Sequence, residues 1–113
     1  MFTRPDEGGY TEVLDGVRLK TLAHGERTLL AAFRIAKGAT IPTHQHHHEQ
    51  TGYLVSGRLD FVIGDDRFDA GPGASWNIAG DVPHGATALE DSIVIEIFAP
   101  VREEYLRYGP EGS

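Results

Sequence analysis

Apolar and polar residues alternate along several short stretches of this chain. Leu29, Ala31, Phe33 and Ile35, for example, fall on one side of an extended segment. Alternation of this kind predicts half-buried β-strands, and helical periodicity is almost absent. The predicted strands cover residues 10–14, 17–23, 28–36, 53–56, 58–63, 67–70, 75–79 and 92–99.

Turn-forming glycine, proline and aspartate residues separate these stretches at intervals of roughly eight to twelve positions. The sequence therefore predicts an all-β sandwich or barrel. Its one predicted helix covers residues 102–108, between Pro100 and Gly109, where an acidic first turn could reach Arg107.

The length of 113 residues is typical of one domain, and a hydrophobic content of 40% is sufficient for one core. No internal repeat is visible, so a single domain over residues 1–113 is expected. Residues 1–9 combine Pro5, Gly8 and Gly9 with charged residues, which predicts a flexible arm before the first strand.

Composition excludes several classes of function. The chain has no cysteine, which excludes disulfides, thiolate metal ligands and cysteine nucleophiles. The 17 acidic residues outnumber the 10 basic ones, and the net charge of −7 comes without a basic stripe, so nucleic acid is not an expected partner. Neither a leader-like start nor an apolar run of about 18 residues occurs, so we expect a cytoplasmic protein without membrane contact.

Four of the six histidines lie within residues 44–48. His44 and His46 are two positions apart, so on an extended strand both imidazoles leave the same face and can converge on one ion. On a flat strand Gln50 would lie about 13 Å from His46, so the chain must bend between them if both bind one ion. The pattern indicates a metal site rather than a solvated polar loop or a tag remnant, because the histidines lie inside a patterned region.

This stretch resembles the first motif of the cupins, which has glycine, five residues, His-x-His, three or four residues, glutamate, six residues and glycine. The matching positions here are Gly38, His44, His46, Gln50 and Gly57, with glutamine in place of glutamate. Several specified positions at fixed spacing are far more specific than a His-x-His pair alone.

The second cupin motif is partly present. Gly73 and His84 fall in its register, whereas Ala79, Asp81 and Ala88 replace its proline, glycine and asparagine. A lone histidine is more often structural than a ligand. The register after a complete first motif nevertheless favours His84 as a third imidazole.

The resemblance implies a double-stranded β-helix, the jelly-roll barrel of cupins, with one divalent transition metal ion. The implied ligands are His44, His46, Gln50 and His84. Because this ligand set is neutral, the charge of the ion is not cancelled, and the site should favour an anionic substrate. Such ligands suit zinc, nickel, iron, manganese or copper, and they leave one or two coordination positions open.

The last predicted strand and its exit hold a second group of candidates. By two-residue periodicity, Glu96 and Phe98 share one face of this strand, opposite the isoleucines. Alternation alone would favour the isoleucine face as the core, and Arg102 could be a surface residue paired with a glutamate. In the mouth of a barrel, however, these three side chains could serve as a general acid/base, a platform for a sugar ring and a carboxylate clamp.

Residues 13–106 also resemble the small single-domain cupins of the KdgF type, which convert unsaturated monouronates into linear keto acids. That group has an HxHPHEQxGYVLSG-like first motif and a DxFxPxRED-like terminal run. Here the two segments read HQHHHEQTGYLVSG and EIFAPVREE, with His47 in place of the proline and glutamate in place of the aspartate. The resemblance implies that the catalytic residues are Glu96, Phe98 and Arg102.

The preferred interpretation is a homodimeric sugar-acid enzyme in which the ion polarises an oxygen of an unsaturated uronate. Glu96 would transfer a proton, Phe98 would support the ring, and Arg102 would hold the carboxylate. A metal-dependent dioxygenase and a non-catalytic module that binds a small ligand are the alternatives. The isoleucines of the opposite face would pack between the sheets or against a second subunit; they are Ile93, Ile95 and Ile97.

Overall fold

The computed structural model describes residues 1–110, and within this range it has ten β-strands and one short 3₁₀ helix. The strands are β1 (Thr11–Leu14), β2 (Val17–His24), β3 (Leu29–Ile35), β4 (Thr40–His44), β5 (Glu49–Ser56), β6 (Leu59–Ile63), β7 (Asp66–Ala70), β8 (Ser75–Ile78), β9 (His84–Ala88) and β10 (Ser92–Ala99), and the helix covers Glu103–Tyr108. The predicted all-β fold class is confirmed.

The strands form two antiparallel sheets. The larger sheet has the order β1-β2-β3-β10-β5-β8, and the smaller one has the order β4-β9-β6-β7. Strands far apart in the sequence are neighbours, as β3 and β10 are, which is the arrangement of a jelly roll. Buried side chains of both sheets, such as Phe33 and Val94 of the larger and Leu59 and Phe61 of the smaller, form one hydrophobic core.

Most predicted strands match the observed ones to within a few residues, and β10 matches at both ends. Strand β9 was not predicted, because its sequence HGATA contains no large apolar residue and no alternation. These small residues allow a close approach to β4. A Cβ atom at Gly85 would lie 2.9 Å from the carbonyl oxygen of Ile41 and from the amide nitrogen of Thr43.

The N-terminal arm and the 3₁₀ helix both contact β2. The arm of residues 1–9 has no regular secondary structure, and the Lys20 ammonium donates to the carbonyl oxygens of Asp6 and Gly8. The flexibility of the arm stays a prediction. The expected contact of the acidic turn with Arg107 is wrong: within residues 1–110, Arg107 donates to the hydroxyl of Tyr108, and Glu104 pairs with Arg102 instead. Glu103 lies four positions before Arg107, whereas a 3₁₀ helix aligns residues three apart.

The isoleucines of β10 lie on the outer face of the larger sheet. Ile97 is 43% exposed, and Ile93 and Ile95 are half-buried, so none of them packs between the sheets. Their contact with a second subunit, and the homodimer itself, stay predictions. None of the helical segments in residues 1–110 has the length and apolar character needed to cross a membrane. The cytoplasmic location also stays a prediction.

Candidate metal centre and active site

The fold brings three histidines from different segments together. His44 ends β4 and lies opposite His84, the first residue of β9, while His46 lies in the bend before β5. One ligand atom of each histidine lies within 4.8 Å of the other two. The ring centroids of His44 and His84 are 4.4 Å apart, and those of His46 and His84 are 5.0 Å apart. The three imidazoles are therefore close enough to hold one ion between them.

Hydrogen bonds determine which nitrogen of each ring is available. The Nδ1 atoms of His44, His46 and His84 lie 2.8, 3.0 and 2.8 Å from backbone carbonyl oxygens. A carbonyl can only accept, so each Nδ1 carries the proton and each Nε2 keeps a lone pair. The Nε2 atoms of His46 and His84 are buried without a partner among residues 1–110. Oriented imidazoles with free, buried Nε2 atoms fit a metal centre.

Gln50 reaches the same place from the larger sheet. The chain bends at residues 47–48, as the spacing required, and β5 begins directly afterwards. The Gln50 side chain is buried, and its Oε1 atom has no hydrogen-bond partner in the described chain. An orphaned amide oxygen beside three imidazoles fits a fourth ligand, although the complete ligand set stays a prediction.

Burial keeps His46 and His84 in the neutral state that binds metal. Burial, assisted by the charge of Arg102, lowers the pKa of His46 from 6.5 to about 4. Burial also lowers the pKa of His84. Both rings are therefore neutral near pH 7, and metal binding there requires no proton release from them.

The structure places Glu96 and Phe98 inside the barrel. Glu96 is 5% exposed and Phe98 is 1% exposed, so the predicted inward orientation of both is confirmed. The Arg102 guanidinium carbon lies 5.1 Å from the Phe98 ring centroid and 4.2 Å from that of Tyr105. A cavity of about 70 Å³ joins this group to the histidine cluster; its lining includes His44, Gln50, His84, Glu96, Phe98 and Arg102.

Arg102 also forms an ion pair with a glutamate, as expected for the alternative in which it is a surface residue. Its Nε donates to Oε1 of Glu104 at 2.7 Å, and its side chain is 15% exposed against 60% for Glu104. Its Nη1 and Nη2 atoms form no hydrogen bond within residues 1–110. The pair thus orients the guanidinium and leaves its terminal nitrogens for a ligand.

Glu96 occupies an unusual environment for a carboxyl group. Its Oε1 atom accepts a hydrogen bond of 3.0 Å from the indole Nε1–H of Trp76, and its Oε2 atom is buried without a partner in the described residues. Burial raises the pKa of Glu96 to about 8, against the opposing effects of Trp76, of the nearby Gln50 amide and of the Arg102 charge. A group with this pKa can both accept and donate a proton near neutral pH.

Two aromatic residues beside this site, Trp76 and Tyr105, were not predicted from the sequence. Trp76 contacts Glu96 from β8, and Tyr105 lines the cavity from the helix. A weak signal existed for Trp76, because it is the only tryptophan and falls on a predicted strand, where a buried indole N–H needs an acceptor. No signal pointed to Tyr105.

The pKa values predict how stability should depend on pH once the protein is treated with a chelator. Between pH 4.5 and about 8 the native state binds the Glu96 proton more tightly than the unfolded chain does. The resulting stabilisation is full below pH 4.5 and is lost as the pH rises through about 8. The lowered pKa of His46 makes stability rise with pH instead, but this effect acts only below pH 6.5.

We therefore expect the unfolding midpoint of the metal-free protein to fall between pH 6.5 and 8, and Glu96→Gln to reduce that slope. Calorimetry on both proteins across this pH range measures how the unfolding midpoint changes with pH. An equal slope in the two proteins would contradict the assignment of this proton to Glu96.

Comparison with known proteins agrees with this geometry. Residues 31–99 match the cupin domain family. The pectin degradation protein KdgF of Dickeya dadantii is 28% identical over 103 residues, which cover 89% of this chain and 94% of that protein. The structure of KdgF from a Halomonas species superposes with a TM-score of 0.88 at 32% identity, covering 94% of this chain and all of that one.

The chain belongs to the cupins, within the KdgF group. An RmlC-like cupin from Shewanella frigidimarina has the same fold, with a TM-score of 0.88 at 24% identity over 93% of this chain and 95% of that one. As a cupin, the chain has its histidine cluster at the motif positions, and Glu96, Phe98 and Arg102 lie beside that cluster.

Proposed function

We propose that this cupin is a metal-dependent sugar-acid enzyme that opens the ring of an unsaturated monouronate to give a linear keto acid. The observation that carries the proposal is the convergence of Glu96, Phe98 and Arg102 with the histidine cluster on one cavity. Similarity to the KdgF proteins of Dickeya dadantii and Halomonas, the first named for pectin degradation, supports the substrate class.

Charge favours an acidic sugar at this site. The imidazoles of His46 and His84 are neutral, as is the Gln50 amide, and Glu96 is neutral near pH 7 while no cation is bound. Arg102 adds a positive charge that the exposed Glu104 offsets only in part, and its free terminal nitrogens can form a two-point contact with a planar carboxylate. Phe98 presents an aromatic surface to the cavity against which a sugar ring can pack.

The reaction is an isomerisation that needs proton transfer and no oxidant. The hydroxyl at C1 loses its proton, the bond between C1 and the ring oxygen breaks, and an aldehyde forms at C1. The ring oxygen stays on C5 as an enolate, which becomes a ketone when C4 gains a proton. Glu96 lines the cavity, and its ionised form would take the first proton and return it to C4.

A divalent ion, when bound by the histidines and Gln50, would supply Lewis-acid polarisation of a substrate oxygen. The chain itself supplies the remaining functions. Arg102 orients the carboxylate, and Phe98 supports the ring within a partly open cavity.

Replacing Arg102 with lysine should lower kcat/KM for an unsaturated monouronate and leave metal content unchanged. Lysine keeps the charge but cannot form the two-point contact, and a charge-assisted hydrogen bond contributes about 1.5–3 kcal/mol, so the loss should be about tenfold to a hundredfold. The assay follows the loss of absorbance of the conjugated double bond. Arg67→Lys is the control, because Arg67 is paired with Asp60 at the surface. Equal kcat/KM in the two variants would remove Arg102 from substrate binding.

A further inference from the structure

Three neighbouring strands of the larger sheet place Trp76, Gly52 and Glu96 side by side. Gly52 of β5 is opposite Trp76 of β8 on one side and opposite Glu96 of β10 on the other. Residues paired in this way point to the same face of the sheet. Across two strand spacings, roughly 9–10 Å, the side chains of Trp76 and Glu96 could not meet if a side chain lay between them.

Glycine at position 52 leaves the necessary space. A Cβ atom there would overlap Nε1 and Cε2 of the Trp76 indole and lie 2.5 Å from Oε2 of Glu96. The indole crosses above β5 through this space and donates to Oε1 of Glu96. The backbone of Gly52 has no positive φ, so the space, and not the backbone conformation, requires glycine at this position.

The indole is itself held in place and does not line the catalytic cavity. Its ring packs on Phe61 of the smaller sheet, with centroids 4.7 Å apart and planes at 51°. Phe61 and Glu96 line the cavity beside the histidines. Trp76 lines a different groove, which it shares with Phe61 and Phe68. Trp76 can therefore influence the reaction only through the groups it holds.

We infer that Trp76 is a positioning residue that holds Glu96 by Oε1 and leaves Oε2 to exchange the proton with the substrate, in space that Gly52 provides. This inference rests on the proposed function. An indole N–H can donate but never accept, so a proton on Glu96 resides on Oε2. Oε2 is the carboxyl oxygen without a partner in the described residues. The carboxyl group thus presents one defined oxygen in one orientation.

The single tryptophan makes a clean substitution possible. Biosynthetic replacement of tryptophan by β-(3-benzothienyl)alanine changes position 76 alone, keeps the bicyclic shape and replaces N–H by sulfur. We expect kcat for the uronate to fall about tenfold, with KM within about twofold and metal content unchanged. In a Glu96→Gln background the same replacement should cause no further fall, because both changes act on one group. A kcat within about twofold of the natural protein would overturn the inference and leave the proposed function standing.

A second measurement does not depend on turnover. The protein should show one indole N–H resonance in a proton–nitrogen correlation spectrum, shifted downfield by the bond to Glu96. Glu96→Leu should move it upfield, whereas Glu49→Leu, on the exposed face of β5, should not. An unmoved resonance in Glu96→Leu overturns the inference whether or not the protein acts on uronates. If the wild type has no turnover, the proposed function fails, and a moved resonance still supports the hold on Glu96.

Gly52→Ala tests the space directly. The added methyl group must displace the indole or the carboxyl group, so the indole resonance should move as in Glu96→Leu and kcat should fall. Gly25→Ala is the matched control, because a Cβ atom there meets nothing within 4 Å. Equal spectra for the two alanine variants would contradict the role given to Gly52.

Discussion

Replacing His46 with alanine is expected to reduce bound metal from one ion per chain to less than about a tenth of that. The reason is that the variant loses one of only four candidate protein ligands. The Nε2 atom of His46 is one of the buried, unpartnered atoms that the site offers. Metal should also stop stabilising the fold. At a metal concentration about 100 times Kd, a bound ion adds about 2.7 kcal/mol to the free energy of unfolding, and the variant should lose most of this.

Elemental analysis after dialysis, together with melting curves with and without added metal, measures both effects. His24→Ala is the control, because His24 lies at the end of β2 and outside the cluster. The two variants should differ in metal content by about tenfold or more. Equal metal content in the His46 variant and the wild type would show that the histidine cluster is not the metal centre.

Glu96→Gln should lower kcat by about a hundredfold to ten-thousandfold, the usual contribution of a general acid/base, because glutamine keeps the shape and carries no exchangeable acid proton. KM and metal content should change little, since glutamine can still accept the Trp76 hydrogen bond through its amide oxygen. Stopped assays of metal-loaded protein give kcat and KM separately. Glu49→Gln is the control, because Glu49 is exposed and bonded to Asn77.

A nearly wild-type kcat in the Glu96→Gln variant would remove the carboxyl group from the proton transfer. The cavity would then have to rely on the bound ion and Arg102 alone, and the reason for burying Glu96 beside an indole would lie in stability. The calorimetric comparison across pH separates these two roles, because it reports on the proton of Glu96 without turnover.

The local pattern of apolar and polar residues was sufficient to predict most strands of the fold. Strand β10 is a run of mainly β-branched and aromatic residues between Asp91 and Pro100, so its limits could be predicted to the residue. Strand β9 could not be predicted, since small residues without apolar alternation follow His84, and Gly85 among them lets β4 approach. Its place depends on a partner far away in the sequence, which local periodicity does not describe.

Alternation was also ambiguous about which face of β10 is buried. By hydrophobicity alone, the isoleucine face would be the core, yet Glu96 and Phe98 are the buried side chains and Ile97 is exposed. The reason is that the inner face of this barrel holds polar functional groups, so the usual rule for a sheet with one wet face fails there. Motif spacing, rather than hydrophobicity, indicated the correct face.

The metal centre could be predicted in part from spacing, and the surroundings of Glu96 could not. His44, His46 and Gln50 are close in sequence, so the bend between them followed from reach alone. The contact between Trp76 and Glu96 joins strands separated by β5 and depends on the absence of a side chain at Gly52. Such a contact becomes visible only when the register of three strands is known.

The most direct test of the proposed function is turnover of unsaturated galacturonate or mannuronate monomers by metal-loaded protein. We predict that the absorbance of the conjugated double bond disappears faster than in buffer, that a chelator removes the acceleration, and that added divalent metal restores it without any need for oxygen. Loss of absorbance at the spontaneous rate, with metal bound and the fold intact, would contradict the assignment to uronate ring opening and favour an oxygenase or a ligand-binding module on the same barrel.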